Sequence, residues 1–208
     1  MPDLGFSIEG AEPVPYAAAP LLALKLCISN QPADEPIRSI MLQCQIRIEA
    51  PRRRYTHEEQ EKLLDLFGTP ERWGQTLRSS LWTHASVNVP PFTGTATVDV
   101  PVPCSFDFNV ASTKYFHALE SGEVPLSVLF SGTVFFDDAE RGMSITQIPW
   151  AKEAQYRLPV NTWKQVIELY YPNTAWLTLR RDVFDRLNEY KMRNSIPTWE
   201  LALERLLS

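Results

Sequence analysis

Glycine is scarce in this sequence, with eight residues against seventeen prolines, a reversal of ordinary usage. The glycines form no Gly-x-Gly-x-x-Gly and no Gly-x-x-x-x-Gly-Lys pattern, so a phosphate loop built on backbone amides is excluded. Gly-x-Ser-x-Gly is also absent, which leaves no nucleophile elbow. Cys27, Cys44 and Cys104 make an odd count without a Cys-x-x-Cys pair, so neither a disulfide framework nor a zinc site is indicated. His57, His84 and His117 are the only histidines, and no two share a helical turn, so no ligand pair is preset by spacing. No eighteen apolar residues run together, which excludes a membrane-spanning helix. A basic excess is missing as well: the net charge is -5, and a nucleic-acid footprint is not expected. The first ten residues carry Asp3 and Glu9 and no basic segment followed by an apolar run, so no secretory signal is expected and the implied location is cytoplasmic.

What is present is a core-forming pattern. A chain of 208 residues buries about 70% of the surface its unfolded form exposes, which suffices without disulfides or metals. Period-two alternation marks strands at Leu4–Ile8, Leu22–Ile28 and most cleanly Ile40–Ile48, which together read as an antiparallel meander with one wet face. Further alternation covers Ala85–Val89, Ala96–Val102 and Cys104–Val110. A long strand over Leu126–Phe136 turns at Asp137–Gly142 and returns through Met143, Ile145 and Gln147 as a hairpin. Gly132 inside that strand reads as a bulge or a close contact with a helix above.

Helical signals alternate with these. Thr56-x-x-Glu59 has the form of a capping box ahead of Leu63, Leu64 and Phe67, predicting about three turns. Thr69-Pro70 starts a short piece, Ser112–Ser121 a longer one, and Val160, Trp163, Val166, Ile167 and Tyr170 make one apolar stripe. Two more helices follow, one with Val183, Phe184 and Leu187 on a face, one capped by Thr198. The predicted fold is α+β: one twisted antiparallel sheet with helices packed on one face, a single domain over 1–208 with 51–122 as a mixed insertion.

Chemistry is thinly represented. The carboxylate pairs Asp34-Glu35, Glu58-Glu59 and Asp137-Asp138 sit in turns and helix starts, where acids belong on electrostatic grounds. Cys44 lies in the apolar row of its strand and reads as a small core residue. Catalytic, cofactor-binding and metal-binding residues are therefore not expected. Partner contact is expected instead at Arg52, Arg53 and Arg54, whose guanidinium forks suit carboxylates, and at Trp73 and Trp82, which follow the first helix in an irregular stretch.

The runs Leu42-Gln43-Cys44-Gln45-Ile46-Arg47-Ile48-Glu49, Leu81-Trp82-Thr83-His84, Leu129-Phe130-Ser131-Gly132-Thr133-Val134-Phe135 and Ile148-Pro149-Trp150 resemble an uncharacterised bacterial family encoded beside high-affinity uptake nickel-iron hydrogenases. That resemblance implies an accessory or assembly role with a hydrogenase subunit as protein partner. A weaker resemblance joins Gly5–Val14 and the closing pattern Leu158–Tyr171 with Val183–Tyr190 to the export chaperone SecB, and implies a SecB-like sheet and client holding. The expected function is thus a non-enzymatic assembly factor or chaperone. A structural subunit or adaptor of a hydrogenase complex is the alternative. A third possibility is a small-molecule binder or enzyme drawing His84, His117 and Cys104 together. Self-association into a homo-oligomer is a further expectation.

Overall fold

The computed structural model describes residues 2–105, 110–138 and 142–208. Its strands in chain order are β1 (Asp3–Pro13), β2 (Leu21–Gln31), β3 (Pro36–Ile48), β4 (Ser80–Val89), β5 (Phe92–Thr93), β6 (Thr95–Pro103), β7 (Glu123–Asp138), β8 (Gly142–Gln147) and β9 (Glu153–Pro159). The helices are α1 (His57–Lys62), α2 (Leu64–Phe67), α3 (Trp73–Thr76), α4 (Val110–Ala118), α5 (Val160–Tyr170), α6 (Arg181–Arg193) and α7 (Trp199–Leu207). Two compact units divide the chain, Met1–Asn173 and Thr174–Ser208. The second unit is the pair α6 and α7, joined within itself by Phe184 against Trp199 at 5.4 Å. None of the described helices is long and apolar enough to cross a membrane.

The first unit is α+β, built on two antiparallel sheets that do not close into a barrel. One sheet has the order β1-β2-β6 and the other the order β4-β3-β7-β8, with β5 on β3 and β9 on β7. The alternating rows meet between them. Ile40, Leu42, Cys44, Ile46 and Ile48 of β3 are at most 1% exposed, and Leu22, Leu24, Leu26 and Ile28 of β2 likewise. Phe6 of the first sheet stacks on Phe130 of the second at 4.2 Å. At one end α4 and α5 pack together, with Phe116 stacked on Trp163 at 5.0 Å and Trp82 of β4 beside Phe116 at 4.9 Å. Burying a tryptophan such as Trp163, 1% exposed, contributes on the order of 4 kcal/mol.

The expected strand order and the expected covering of the sheet need correction. The meander breaks after β2, because β2 takes β6 as its second neighbour while β3 joins β4 and β7. The buried Asn30 side chain donates to the carbonyls of Pro32 and Glu35, folding the loop over the strand end and delivering β3 to the other sheet. Residues 51–122 supply β4 and β6, and each pairs along its length with a strand from outside that range. The apolar face of each sheet is covered chiefly by the other sheet, since both carry a one-sided apolar row.

Smaller differences follow. The helix expected after Thr56 is split at Leu63 into α1 and α2, although its capping box is formed in both directions. Of the strand expected over Cys104–Val110, Cys104 and Ser105 lie outside any strand and Val110 belongs to α4; Phe106 and Phe108 lie outside the described residues, as do Ala139, Glu140 and Arg141 of the hairpin turn. A strand not anticipated, β9, uses the alternation Ala154, Tyr156, Leu158 to pair with β7.

Candidate functional site

The five residues expected to meet a partner do not form one surface. Trp82 is 3% exposed and belongs to the core. Arg53 is turned inward: its Nη2 meets Glu59 Oε1 at 2.5 Å, and it donates to the carbonyls of Glu123 and Ser121. Trp73 is half-buried, donates through Nε1 to the Gly68 carbonyl at 3.0 Å and stands edge-on to Tyr55 at 5.1 Å. Only Arg52 and Arg54 are exposed.

The residues offered for chemistry are separated by their environments. His84 is exposed on β4, while Cys104 is 3% exposed and its Sγ donates to the Val102 carbonyl. His117 stands edge-on to Trp163 at 4.9 Å. No group of three metal-ligating side chains occurs among the described residues. Burial pushes the thiols of Cys44 and Cys104 up to about 12 from an ordinary 9.0. Both therefore stay protonated at pH 8, and since the thiolate is the nucleophile, iodoacetamide should modify neither in the native protein and both in denaturant. Mass mapping of the alkylated protein checks this. Because the folded values lie above the unfolded ones, these thiols cost no stability at neutral pH and lower it as the pH rises from about 9 toward 12.

A surface with a definite character appears at the end of the second sheet. The β8 sequence, Gly-Met-Ser-Ile-Thr-Gln, contains no charge and no proline. It pairs with β7 from Thr133↔Gln147 to Asp138↔Gly142, and among the described residues no strand stands on its other side. The orientation of its amides follows from one bond. Ile148 N–H donates to the Gly132 carbonyl at 2.9 Å. Amides alternate sides along a strand, so Thr146 and Ser144 also face β7 while Gln147, Ile145 and Met143 present N–H and C=O to the open side. The same residues carry exposed apolar groups, Met143 at 66% and Ile145 at 59%. Trp150, 90% exposed, sits in the corner that follows β8.

Other edges are protected in recognisable ways. β1 carries Asp3, Glu9, Glu12 and Pro13, β9 carries Glu153 and Arg157, and β4 lies beside β6 of the opposite sheet. Charge and proline are the usual means by which sheets discourage strand addition, and β8 has neither. Sequence reasoning found β8 as a return arm but assigned it no role. The signal available was the absence of charge over six residues, together with a tryptophan directly after a proline.

Across the face of the same sheet, from the end of β3 over β7 to β9, lies an open groove of about 520 Å³, lined by Arg52, Pro125, Gln155, Tyr156 and Arg157. Arg52 Nη1 donates to Gln155 Oε1 at 3.0 Å. Arg47 shares the cross-strand row Arg47–Ser127–Gln155.

The model of one protein family, described as a family of unknown function, matches residues 1–208. No curated protein matches the chain. Among solved structures, a putative late embryogenesis abundant protein is similar over 76% of this chain and 72% of its own, at 13% identity and a TM-score of 0.34. β-Glucosidase 3B from Thermotoga neapolitana, solved with α-D-glucose, is similar over 75% of this chain and 17% of its own, at 12% identity and a TM-score of 0.27.

Proposed function

The chain belongs to DUF6084 along residues 1–208, and we propose that it is a non-enzymatic accessory protein that holds an extended segment of a protein client against β8. The observation that carries this is the uncharged open edge, where the amides of Met143, Ile145 and Gln147 project beside exposed Met143, Ile145 and Trp150. Strand addition supplies affinity through main-chain hydrogen bonds and selectivity through alternate side chains. The resemblance to a family encoded beside uptake nickel-iron hydrogenases makes a hydrogenase subunit the client of choice, and the likeness to SecB in the first strand and last helices supports holding over catalysis. A cytoplasmic setting accords with such a client.

Ile145→Pro tests the proposal with little cost to the fold. The lost N–H faces the open side, so the β7–β8 ladder keeps its bonds, and proline is tolerated on an edge in that orientation. In cells making the hydrogenase, the tagged wild-type protein should retain an immature hydrogenase subunit, identified by mass spectrometry. The Ile145→Pro protein should retain at least tenfold less while melting within a few degrees of wild type. Equal retention by both proteins, or no hydrogenase subunit on either, would overturn the proposal. A stoichiometric place in the mature enzyme would favour the adaptor alternative over a transient chaperone.

A further inference from the structure

We infer that the segment held by β8 is acidic at its N-terminal end, where it reaches the groove of Arg52 and Arg157. This rests on the proposed strand addition and adds the chemistry of the partner. β8 and β9 both pair with the same side of β7, one after the other, with a corner at residues 148–152 between them, and Met143, Ile145 and Gln147 share one exposed face of the sheet with Gln155 and Arg157. The partner of Ile145 is Phe135 and that of Gln155 is Ser127, eight residues apart on β7, or roughly 27 Å at the rise of an extended chain. Trp150 lies in the corner between them. A client strand of about eight residues therefore spans from the apolar edge to the groove.

The groove is cationic in a chain that is otherwise acidic, with a net charge of -5. Its lining contains two arginines and no carboxylate. Among the described residues neither the Arg157 side chain nor that of the neighbouring Arg47 makes a hydrogen bond or an ion pair. The nearest acid to Arg52 is Glu49, at 4.0 Å; its side chain is 12% exposed and already accepts a hydrogen bond from Ser79. Guanidinium forks along a strand path suit carboxylates that arrive on an extended chain, because each fork donates two parallel hydrogen bonds to one carboxylate. Direction follows from strand polarity. Antiparallel addition to β8 is the more stable geometry, and it runs the client opposite to β8, pairing its later residues with β8 beside Met143 and Ile145 and leading its earlier ones toward the exposed side chains of Gln155 and Arg157 without pairing to β9.

The test uses three fluorescein-labelled twelve-residue peptides and anisotropy at low salt. One begins with four alternating Asp and Glu and ends in alternating Val and Thr, the second has Asn and Gln in place of the acids, and the third has the acidic block moved to the C-terminus. The acidic-first peptide should bind about tenfold more tightly than the neutral one, equivalent to about 1.4 kcal/mol. That preference should vanish in the doubly substituted Arg52→Glu, Arg157→Glu protein and at 0.5 M salt, with the neutral peptide's affinity unchanged. Equal binding of acidic and neutral peptides, a preference for the C-terminal acids, or an oligonucleotide of equal charge competing equally well would overturn the inference and leave strand addition standing. Failure of all three peptides on the wild-type protein, or undiminished binding to Ile145→Pro, would remove strand addition itself and the inference with it.

Discussion

Replacing Glu59 by Gln is expected to lower the unfolding free energy by about 3–5 kcal/mol, the usual result of removing one partner of a buried ion pair. For a chain of this length that corresponds to a fall in Tm of roughly 6–20 °C. Glu59 is 1% exposed. Its Oε1 accepts from Arg53 Nη2 at 2.5 Å and from Glu120 N at 3.0 Å, and its Oε2 accepts from Thr56 N at 3.1 Å. One carboxylate thus closes the capping box of α1 and ties the start of that helix to the turn ahead of β7. A glutamine offers a single acceptor oxygen, and its NH2 must face a donor on one side or the other. The Arg53 guanidinium, with a side chain 8% exposed, would keep its charge and lose its counter-ion. Arg53→Met is the milder change, because the carboxylate left behind still accepts from two backbone amides. The two substitutions together should cost less than the sum of the single ones, since each alone strands a buried partner. Urea unfolding of the four proteins of this cycle measures the coupling. A loss below about 1 kcal/mol for Glu59→Gln would mean that the pair behaves as a solvent-screened one.

That cluster also marks where sequence reasoning stops. The capping box was legible because both its members lie within one helical turn. The burial of Arg53 was not, because it depends on the carbonyls of Ser121 and Glu123, which the fold brings from the far end of α4. Trp82 shows the same limit through strand register. Alternation over Ala85–Val89 places residue 82 on the outer face, but the β3–β4 register shifts between Ile46 and Arg47, pairing Ile46 with Thr83 and Arg47 with Leu81. Trp82 is the extra residue at that irregularity, and a bulge re-aims a side chain. β3 and β7 were readable because their apolar rows state which face is buried. A row does not state which strand stands beside it, so the exchange of β3 for β6 as the neighbour of β2 was hidden. The open edge of β8 was hidden for a related reason: a sequence shows a strand's own pattern and not the vacancy next to it.

Gly132→Ala is the second substitution with a large expected effect, a loss of at least about 3 kcal/mol. Gly132 has φ +141, a conformation L side chains rarely adopt. A Cβ there would fall on the carbonyl oxygen of Met41, and within 3.1 Å of the Met41 carbonyl carbon and 3.2 Å of Leu42 Cα. These are backbone atoms of β3, so relief requires the two central strands of the larger sheet to part, and no side chain can give way in their stead. The close approach expected at this glycine is therefore real, but its partner is a strand and not a helix. Gly74→Ala is the control. Its added Cβ would meet nothing within 4 Å, and the change lies inside α3, where alanine is the better helix former by roughly 0.5–1 kcal/mol. Thermal unfolding of the two variants should move in opposite directions. The strain would also reach the proposed client edge, because the Gly132 carbonyl accepts from Ile148 N at 2.9 Å, just after β8 and beside Trp150. Any Gly132→Ala protein that folds at low temperature should accordingly bind the acidic-first peptide more weakly than wild type. Wild-type stability in Gly132→Ala would show that β3 and β7 separate at little cost, and that the edge beyond them is not held in place by their pairing.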